Sequence, residues 1–245
     1  MPHFLIKNEE INNDLIELRD NDNFVHITKA LRAKIGEIIK FIDNNKTVYE
    51  AKIVEITKQK LSAQIIKKYK SLRTLGFDIV LIQSILANDA QNLLIANATQ
   101  TGTNKIYPII TDNSSVSASQ TKNKVEKWQK IAYENFKQCE RADVPTILEV
   151  SNLKESLKLF KKENIIIYAE KYENCSIDNA LKNIKKDEPI AVVIGPEGGF
   201  SEKEFEYFKK ENYKLATLGR MIYKAPNAVV AGISNIISRL ENYDI

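Results

Sequence analysis

The sequence predicts an α/β fold in two parts, a small β-rich domain over residues 1–72 and a doubly wound α/β domain over residues 73–245. Three observations predict it. Residues 36–70 alternate polar and apolar side chains at strand period, interrupted by a tight turn. From residue 77 onward, apolar runs of strand length alternate with amphipathic helical stretches. The net charge of +4 is also uneven: residues 1–75 carry 14 basic and 10 acidic side chains, and residues 76–245 carry 22 of each. Such asymmetry is expected of two domains with different partners.

In chain order, Phe24, Ile27, Leu31 and Ile35 recur at helical spacing and leave Lys29, Arg32 and Lys34 near the polar side. Three strands follow, EIIKFID, TVYEAKIVEI and KLSAQIIKKY, the first two separated by the turn-prone Asp43-Asn44-Asn45. Short strands with tight turns indicate a small sheet or barrel, which the basic stretch from Ile66 to Leu75 leaves. FDIVLIQSI then reads as a buried parallel strand, Asp89–Thr101 as a helix closed by Gly102, and KIYPIIT as a second strand. Val125, Trp128, Ala132, Phe136 and Cys139 mark a long amphipathic helix over 122–141, with Trp128 a core side chain. A helix around Leu153–Lys162, the strand IIIYAE, a helix around Ile177–Ile184 and the strand IAVVIG come next. The chain ends with a helix over Ser201–Lys210, the strand LATLG, and a helix over Pro226–Leu240 whose stripe is Val229, Ile233, Ile236 or Ile237, and Leu240.

Several functions are disfavoured at once. His3, His26, Cys139 and Cys175 lie too far apart to form a zinc ligand set or a redox motif, so no metal site is expected. The longest uncharged stretches, Ile79–Asn88 and Ala225–Ser238, fall short of the roughly 20 residues that span a bilayer. The start MPHFLIKNEE has neither a basic n-region nor an apolar h-region, and lone cysteines suit a reducing compartment, so the expected location is cytoplasmic.

Chemistry concentrates in two segments. In AVVIGPEGGFSEKEFEYF, residues 191–208, a buried strand runs into Gly195-Pro196-Glu197-Gly198-Gly199, and Ser201 with Glu204 forms an S-x-x-E capping box. Glycines let the backbone approach a ligand closely, and the helix start offers unpaired N–H groups. Neither G-x-x-x-x-G-K-[ST] nor G-x-G-x-x-G is present, so mononucleotide and NAD readings lose support. Glu197 is expected to accept backbone N–H bonds around its own loop. In LATLGRMIYKAPNAVVAG, residues 215–232, a strand end at Leu218-Gly219 is followed by Arg220 and Lys224, and Pro226 sits in the first turn of the last helix. Cations beside a strand end lie where open α/β sheets bind ligands.

IGPEGGFSEKE, followed by an LG-x-x-I-x-K loop and a C-terminal helix, resembles the SPOUT class of methyltransferases, specifically the RsmE type that methylates uridine N3 in 16S ribosomal RNA. The likeness extends to His26-x4-Leu31-Arg32-x3-Gly36, similar to the entry of that family's PUA-like β-barrel. It also covers Lys127-Trp128-x-Lys130-Ile131 and Gln138-Cys139-x-Arg141-x2-Val144-Pro145, similar to its long helix and following loop. The resemblance implies an RNA-binding PUA-like barrel over 1–72 and a knotted α/β methyltransferase domain over 73–245, with a trefoil knot, an exception to the rule against threaded chains. It further implies a homodimer with a shared active site, S-adenosylmethionine as cofactor, and 16S ribosomal RNA or the small ribosomal subunit as partner. The cofactor loops it implies are Ala169 and Glu170, then Ile194, Gly195, Glu197, Gly198 and Gly199, then Leu218, Gly219, Ile222 and Tyr223.

Methyl transfer to uracil N3 needs positioning, an acceptor for the N3 proton, and positive groups beside the carbonyls where negative charge develops. Arg141, Arg220 and Lys224 are the candidate cations and Gln138 a candidate carbonyl donor. Lys29, Arg32, Lys34, Lys67 and Lys68 are the candidate RNA-phosphate contacts. The sequence departs from the family pattern at Met221, Pro226, Asn97, Gln100 and Asn113, where charged residues are usual. A second reading is therefore a catalytically weakened RNA-binding ribosome-assembly factor on the same fold.

Overall fold

The computed structural model describes residues 2–19, 21–121, 124–169 and 176–241. They fall into two compact units, one of residues 1–74 with Phe136–Asp143 and one of residues 75–135 with 144–245.

The first unit is built on a six-stranded sheet. Its strands are β1 (His3–Ile6), β2 (Ile11–Asn12), β3 (Leu15–Arg19), β4 (Ile38–Asp43), β5 (Thr47–Ile56) and β6 (Lys60–Lys70), in spatial order β1-β4-β5-β6-β3-β2. Only β1 and β4 pair in parallel; the rest are antiparallel. Strands β4 to β6 follow the expected alternation, with Phe41, Ala51, Ile53, Leu61 and Ala63 wholly buried. The Asp43 carboxylate closes the β4–β5 turn by accepting from the Asn45 and Thr47 amides at 2.9 and 2.8 Å. The expected helix over 24–34 is shorter. Helix α1 (Asp22–Val25) runs into a wide turn over His26–Ala30, and Arg32 adopts φ +53°, which ends the helix. Phe24 and Ile27 are buried as expected, whereas Leu31 and Ile35 are exposed.

Phe136–Asp143 supplies the first unit with a cluster of charge and rings. The Lys40 ammonium lies 3.3 Å from the Glu140 carboxylate, and the His3 ring is 4.6 Å from the Phe136 ring. His3 is buried with an unpartnered Nε2, and burial pushes its pKa from 6.5 down to about 4, with Glu140 opposing and Lys40 and Arg73 assisting. The unfolded chain therefore takes up this proton near pH 6.5 while the folded chain does so only near pH 4. Stability from this group is complete above pH 6.5 and falls as the pH drops towards 4, by roughly 2–3 kcal/mol. Urea denaturation at pH 7 and pH 4.5 is expected to give His3→Leu a smaller pH-dependent loss than the wild type; equal losses would show that His3 is not linked to folding.

The second unit carries an all-parallel seven-stranded sheet. Its strands are β7 (Ile79–Ser84), β8 (Lys105–Ile110), β9 (Thr146–Ile147), β10 (Ser151–Asn152), β11 (Ile165–Tyr168), β12 (Ile190–Ile194) and β13 (Lys214–Ala216). The order is β10-β8-β7-β12-β11-β13, with β9 also on β8. Helices are α2 (Asn88–Gln100), α3 (Val125–Cys139), α4 (Leu153–Leu157), α5 (Ile177–Leu181), α6 (Glu202–Lys210) and α7 (Ala225–Leu240). Successive strand residues feed opposite faces. Ile79, Leu81, Ile166, Tyr168, Ile190 and Val192 pack with α2, α3, α5 and α7, Trp128 among them, while Val80, Ile82, Ile165, Ile167, Ala191 and Val193 pack with α4 and α6. Two covered faces explain why these strands read as unbroken apolar runs. Strand β13 begins at Lys214 and ends at Ala216, so Thr217, Leu218 and Gly219, expected as strand, belong to the loop beyond it. No described helix is long and apolar enough to cross a membrane.

Candidate active site

Strands β7, β12, β11 and β13 lie side by side and run the same way, so their C-terminal ends open on one edge of the sheet. Open α/β sheets take ligands at such an edge. There the exits of β11, β12 and β13 and the first turns of α2 and α7 line a cavity of about 820 Å³, within the roughly 300–1,000 Å³ of small-molecule sites. Its charged lining groups are Asp89, Glu197, Arg220 and Lys224.

The loop after β12 is held by its own sequence. The Gly199 amide donates to the Pro196 carbonyl at 3.0 Å, and Gly199 adopts φ +68°. The capping box forms: the Glu204 amide donates to Ser201 Oγ at 3.2 Å, and the Ser201 amide donates to Glu204 Oε2 at 2.8 Å. The turn after β8 reaches the same loop. Ser201 Oγ donates to Asp112 Oδ2 at 2.5 Å, the Asp112 amide to Glu204 Oε1 at 3.1 Å, and Asn113 Nδ2 to the Gly199 carbonyl at 3.1 Å.

The backbone lining the cavity is bare. A Cβ placed on Gly199 or Gly219 would meet no atom within 4 Å, and one on Gly198 would meet only Asn113 Cβ at 3.5 Å. That open space beside peptide groups suits a ligand recognised through backbone N–H and C=O. Behind it, buried Tyr168 donates its hydroxyl to the Gly232 carbonyl at 2.9 Å. Burial pushes the Tyr168 pKa well above its ordinary value, with Arg239 opposing, so the hydroxyl stays a donor.

Among the expected cofactor residues, Ala169, Ile194, Gly195, Glu197, Gly198, Gly199, Leu218, Gly219, Ile222 and Tyr223 all line this cavity. Glu170 lies outside the described residues. Arg220 and Lys224 line it too, both exposed and without an ion pair among the described residues.

Arg141 does not line the cavity. It is buried in the first unit and donates to Asp143 at 2.7 Å. Burial raises the Asp143 pKa, but the Arg141 bond and charge, with Lys46, outweigh it and hold the carboxyl below its usual range. A cation so engaged also supports the fold of its own unit. Gln138 is exposed in the same unit and is not among the residues that line the cavity. Lys29, Arg32, Lys34, Lys67 and Lys68 are exposed on the first unit, with the Lys67 ammonium 5.2 Å from the Tyr69 ring centre.

Glu197 is exposed and accepts no backbone N–H among the described residues; Glu204 does that work from the third residue of α6. Asp89, Tyr168 and Asp112 were not singled out in the sequence, and Asn113 only as a departure from the family pattern. Asp89 alone had a local signal, standing in the first turn of the helix after a parallel strand.

A family model described as an RNA methyltransferase domain matches residues 73–237, and one described as an RNA methyltransferase PUA domain matches residues 18–66. A curated protein of Helicobacter pylori named ribosomal RNA small subunit methyltransferase E is 30% identical over 227 residues, 86% of this chain and 89% of that protein. The protein of that name from Rickettsia conorii is 28% identical over 228 residues, 91% and 90% of the two chains. Among solved structures, the Neisseria gonorrhoeae protein of the same name, described as bound to S-adenosyl methionine, superposes with a TM-score of 0.84 at 24% identity, covering 98% of each chain. The match over the whole strand-and-helix array, with the PUA match before it, establishes that this chain belongs to the RsmE-type family of RNA methyltransferases.

Proposed function

We propose that the chain methylates uridine N3 of 16S ribosomal RNA, free or in the small subunit, using S-adenosylmethionine. It works as a cytoplasmic homodimer without a metal, residues 1–72 docking RNA and residues 73–245, with a trefoil knot, carrying the transfer. The observation that carries this reading is one cavity lined by three strand-end loops, two of them presenting open glycine backbone, together with Arg220 and Lys224, which have no ion pair among the described residues. The names of the relatives support the substrate class, and the Neisseria gonorrhoeae complex supports the cofactor.

When bound, the cofactor supplies a methyl group activated on a sulfonium. Peptide groups of Ile194–Gly199 and of Leu218–Tyr223, with Ala169, hold adenine and ribose. Glu197 and Asp89 are the carboxylates of the cavity available to take the N3 proton. Arg220 and Lys224 stabilise the charge that then develops on the uracil carbonyls. Exposed Lys29, Arg32, Lys34, Lys67 and Lys68 fix the RNA by its phosphates and leave sequence discrimination to contacts with the target base.

Incubation with 16S RNA or small subunits and methyl-labelled cofactor is expected to place label at uridine N3. Cofactor binding without transfer would replace this reading with that of an RNA-binding assembly factor, and absence of cofactor binding would remove the cofactor assignment itself.

A further inference from the structure

The turn after β8 belongs to neither the cofactor loops nor the cations, yet it grips the glycine-rich loop at two places. Asn113 Nδ2 donates to the Gly199 carbonyl at 3.1 Å and approaches the Gly198 carbonyl at 3.4 Å. Asp112 accepts from Ser201 Oγ and donates its amide to Glu204, at the start of α6. The turn is itself anchored to the sheet. Ser114 Oγ accepts from the Thr111 amide at 2.9 Å, and the hydroxyls of Ser84, Thr111 and Ser114 bond one another at 2.6 to 2.9 Å, Ser84 being the wholly buried last residue of β7. A continuous set of bonds thus runs from the end of β7, through Asp112 and Asn113, to Gly198 and Gly199, two of the glycines that line the cavity.

Glycine-rich backbone loses the most freedom when it is ordered, so a ligand that binds it must offset that cost unless the loop is already held. We propose that Asn113 is a positioning residue for the cofactor: with Asp112 holding the far end of the loop, its amide fixes the Gly198 and Gly199 peptides in the orientation the ligand meets. The inference rests on the cavity being the cofactor site. It gives a role to a neutral side chain that stands where the family resemblance leads one to expect arginine.

Because the Asn113 side chain and its hydrogen bonds to the loop are exposed, its replacement tests the loop without unfolding the protein. The measurement is binding of S-adenosylhomocysteine by titration calorimetry, a probe without the sulfonium charge, so that an added carboxylate near the loop gains no attraction to a sulfonium. Asn113→Ala is expected to raise Kd between about twofold and tenfold, the value of one modest hydrogen bond. Asn113→Asp, the same size but with an oxygen facing the two carbonyls, is expected to weaken binding further, and Asn113→Gln, which keeps the amide, to retain part of the affinity. All three should unfold within a few degrees of the wild type, and KM for the cofactor should rise more than kcat falls. A wild type that binds the probe beside variants that bind it equally well would overturn the role of Asn113, as would a loss that follows thermal stability and not the order Asp, Ala, Gln. A wild type that fails to bind would overturn the cofactor site, and this inference with it.

Discussion

Gly232→Val is expected to lower stability by roughly 2–4 kcal/mol and to weaken cofactor binding in the surviving folded protein. Helix propensity alone predicts the reverse, because glycine within a helix costs about 1 kcal/mol relative to alanine. The contact decides otherwise. A Cβ on Gly232 would stand 2.6 Å from Tyr168 Cε2, 3.1 Å from Cδ2 and 3.2 Å from Cζ. The Tyr168 ring is buried at the end of β11 in the cluster that packs against α7, and the space open to it is the cavity. Forcing extra carbons into such a site costs about 1–3 kcal/mol, and displacing the hydroxyl from the Gly232 carbonyl adds about 1 kcal/mol. Tyr168 also lines the cavity, immediately before Ala169, so a ring pushed from its place intrudes where the cofactor is held. Thermal unfolding should therefore shift down by about 5–15 °C, with Gly232→Ala intermediate. A variant as stable as the wild type would mean that α7 and β11 separate more easily than their packing implies.

The glycine at 232 illustrates what the sequence carries and what it does not. Strands β5, β6, β7 and β12 and helices α2, α6 and α7 were legible because their signals are local: a hydrophobic period, a glycine at φ +100° just after α2, an S-x-x-E box at α6. The first three strands were not, being two to five residues long, too short to show a period and stabilised by pairing with β4 and β6. The 24–34 helix failed where Arg32 takes a left-handed conformation, for which its side chain gives no warning. At the site, the glycine loop and the strand-end cations were readable because a parallel sheet gathers its C-terminal ends. Contacts across long separations were not. Asn113 meets a loop 86 residues away, and Asn97 Nδ2 donates to the Pro226 carbonyl across 129 residues at 3.0 Å. That last bond joins two positions that read separately as departures from the family pattern. Together they tie α2 to the start of α7, a structural link made by an amide where charged residues are usual.

Replacing Lys224 is expected to test catalysis more sharply than any loop glycine, because the fold asks nothing of its side chain. Its carbonyl accepts from the Asn227 and Ala228 amides at 2.9 Å and starts α7, a task any residue performs, while its ammonium has no ion pair among the described residues. It stands at the N-terminal end of a 16-residue helix, whose unpaired N–H groups already favour negative charge. A cation there does little for a neutral uracil and much for one that has lost its N3 proton, so its contribution is concentrated in the transition state. Lys224→Ala should lower kcat about 100-fold, in the range seen on removing one preorganised stabiliser, while cofactor Kd stays within about threefold and the unfolding temperature is unchanged. Lys224→Arg should recover most of the rate by restoring charge. Arg220→Ala should behave in the same way if the two cations share the load, and combining it with Lys224→Ala should cost less than the product of the two, since groups that stabilise one charge are not additive. An unaltered kcat in Lys224→Ala, or a loss confined to RNA affinity, would move Lys224 from the chemistry to phosphate binding and leave Arg220 as the cation that lines the cavity for the reaction.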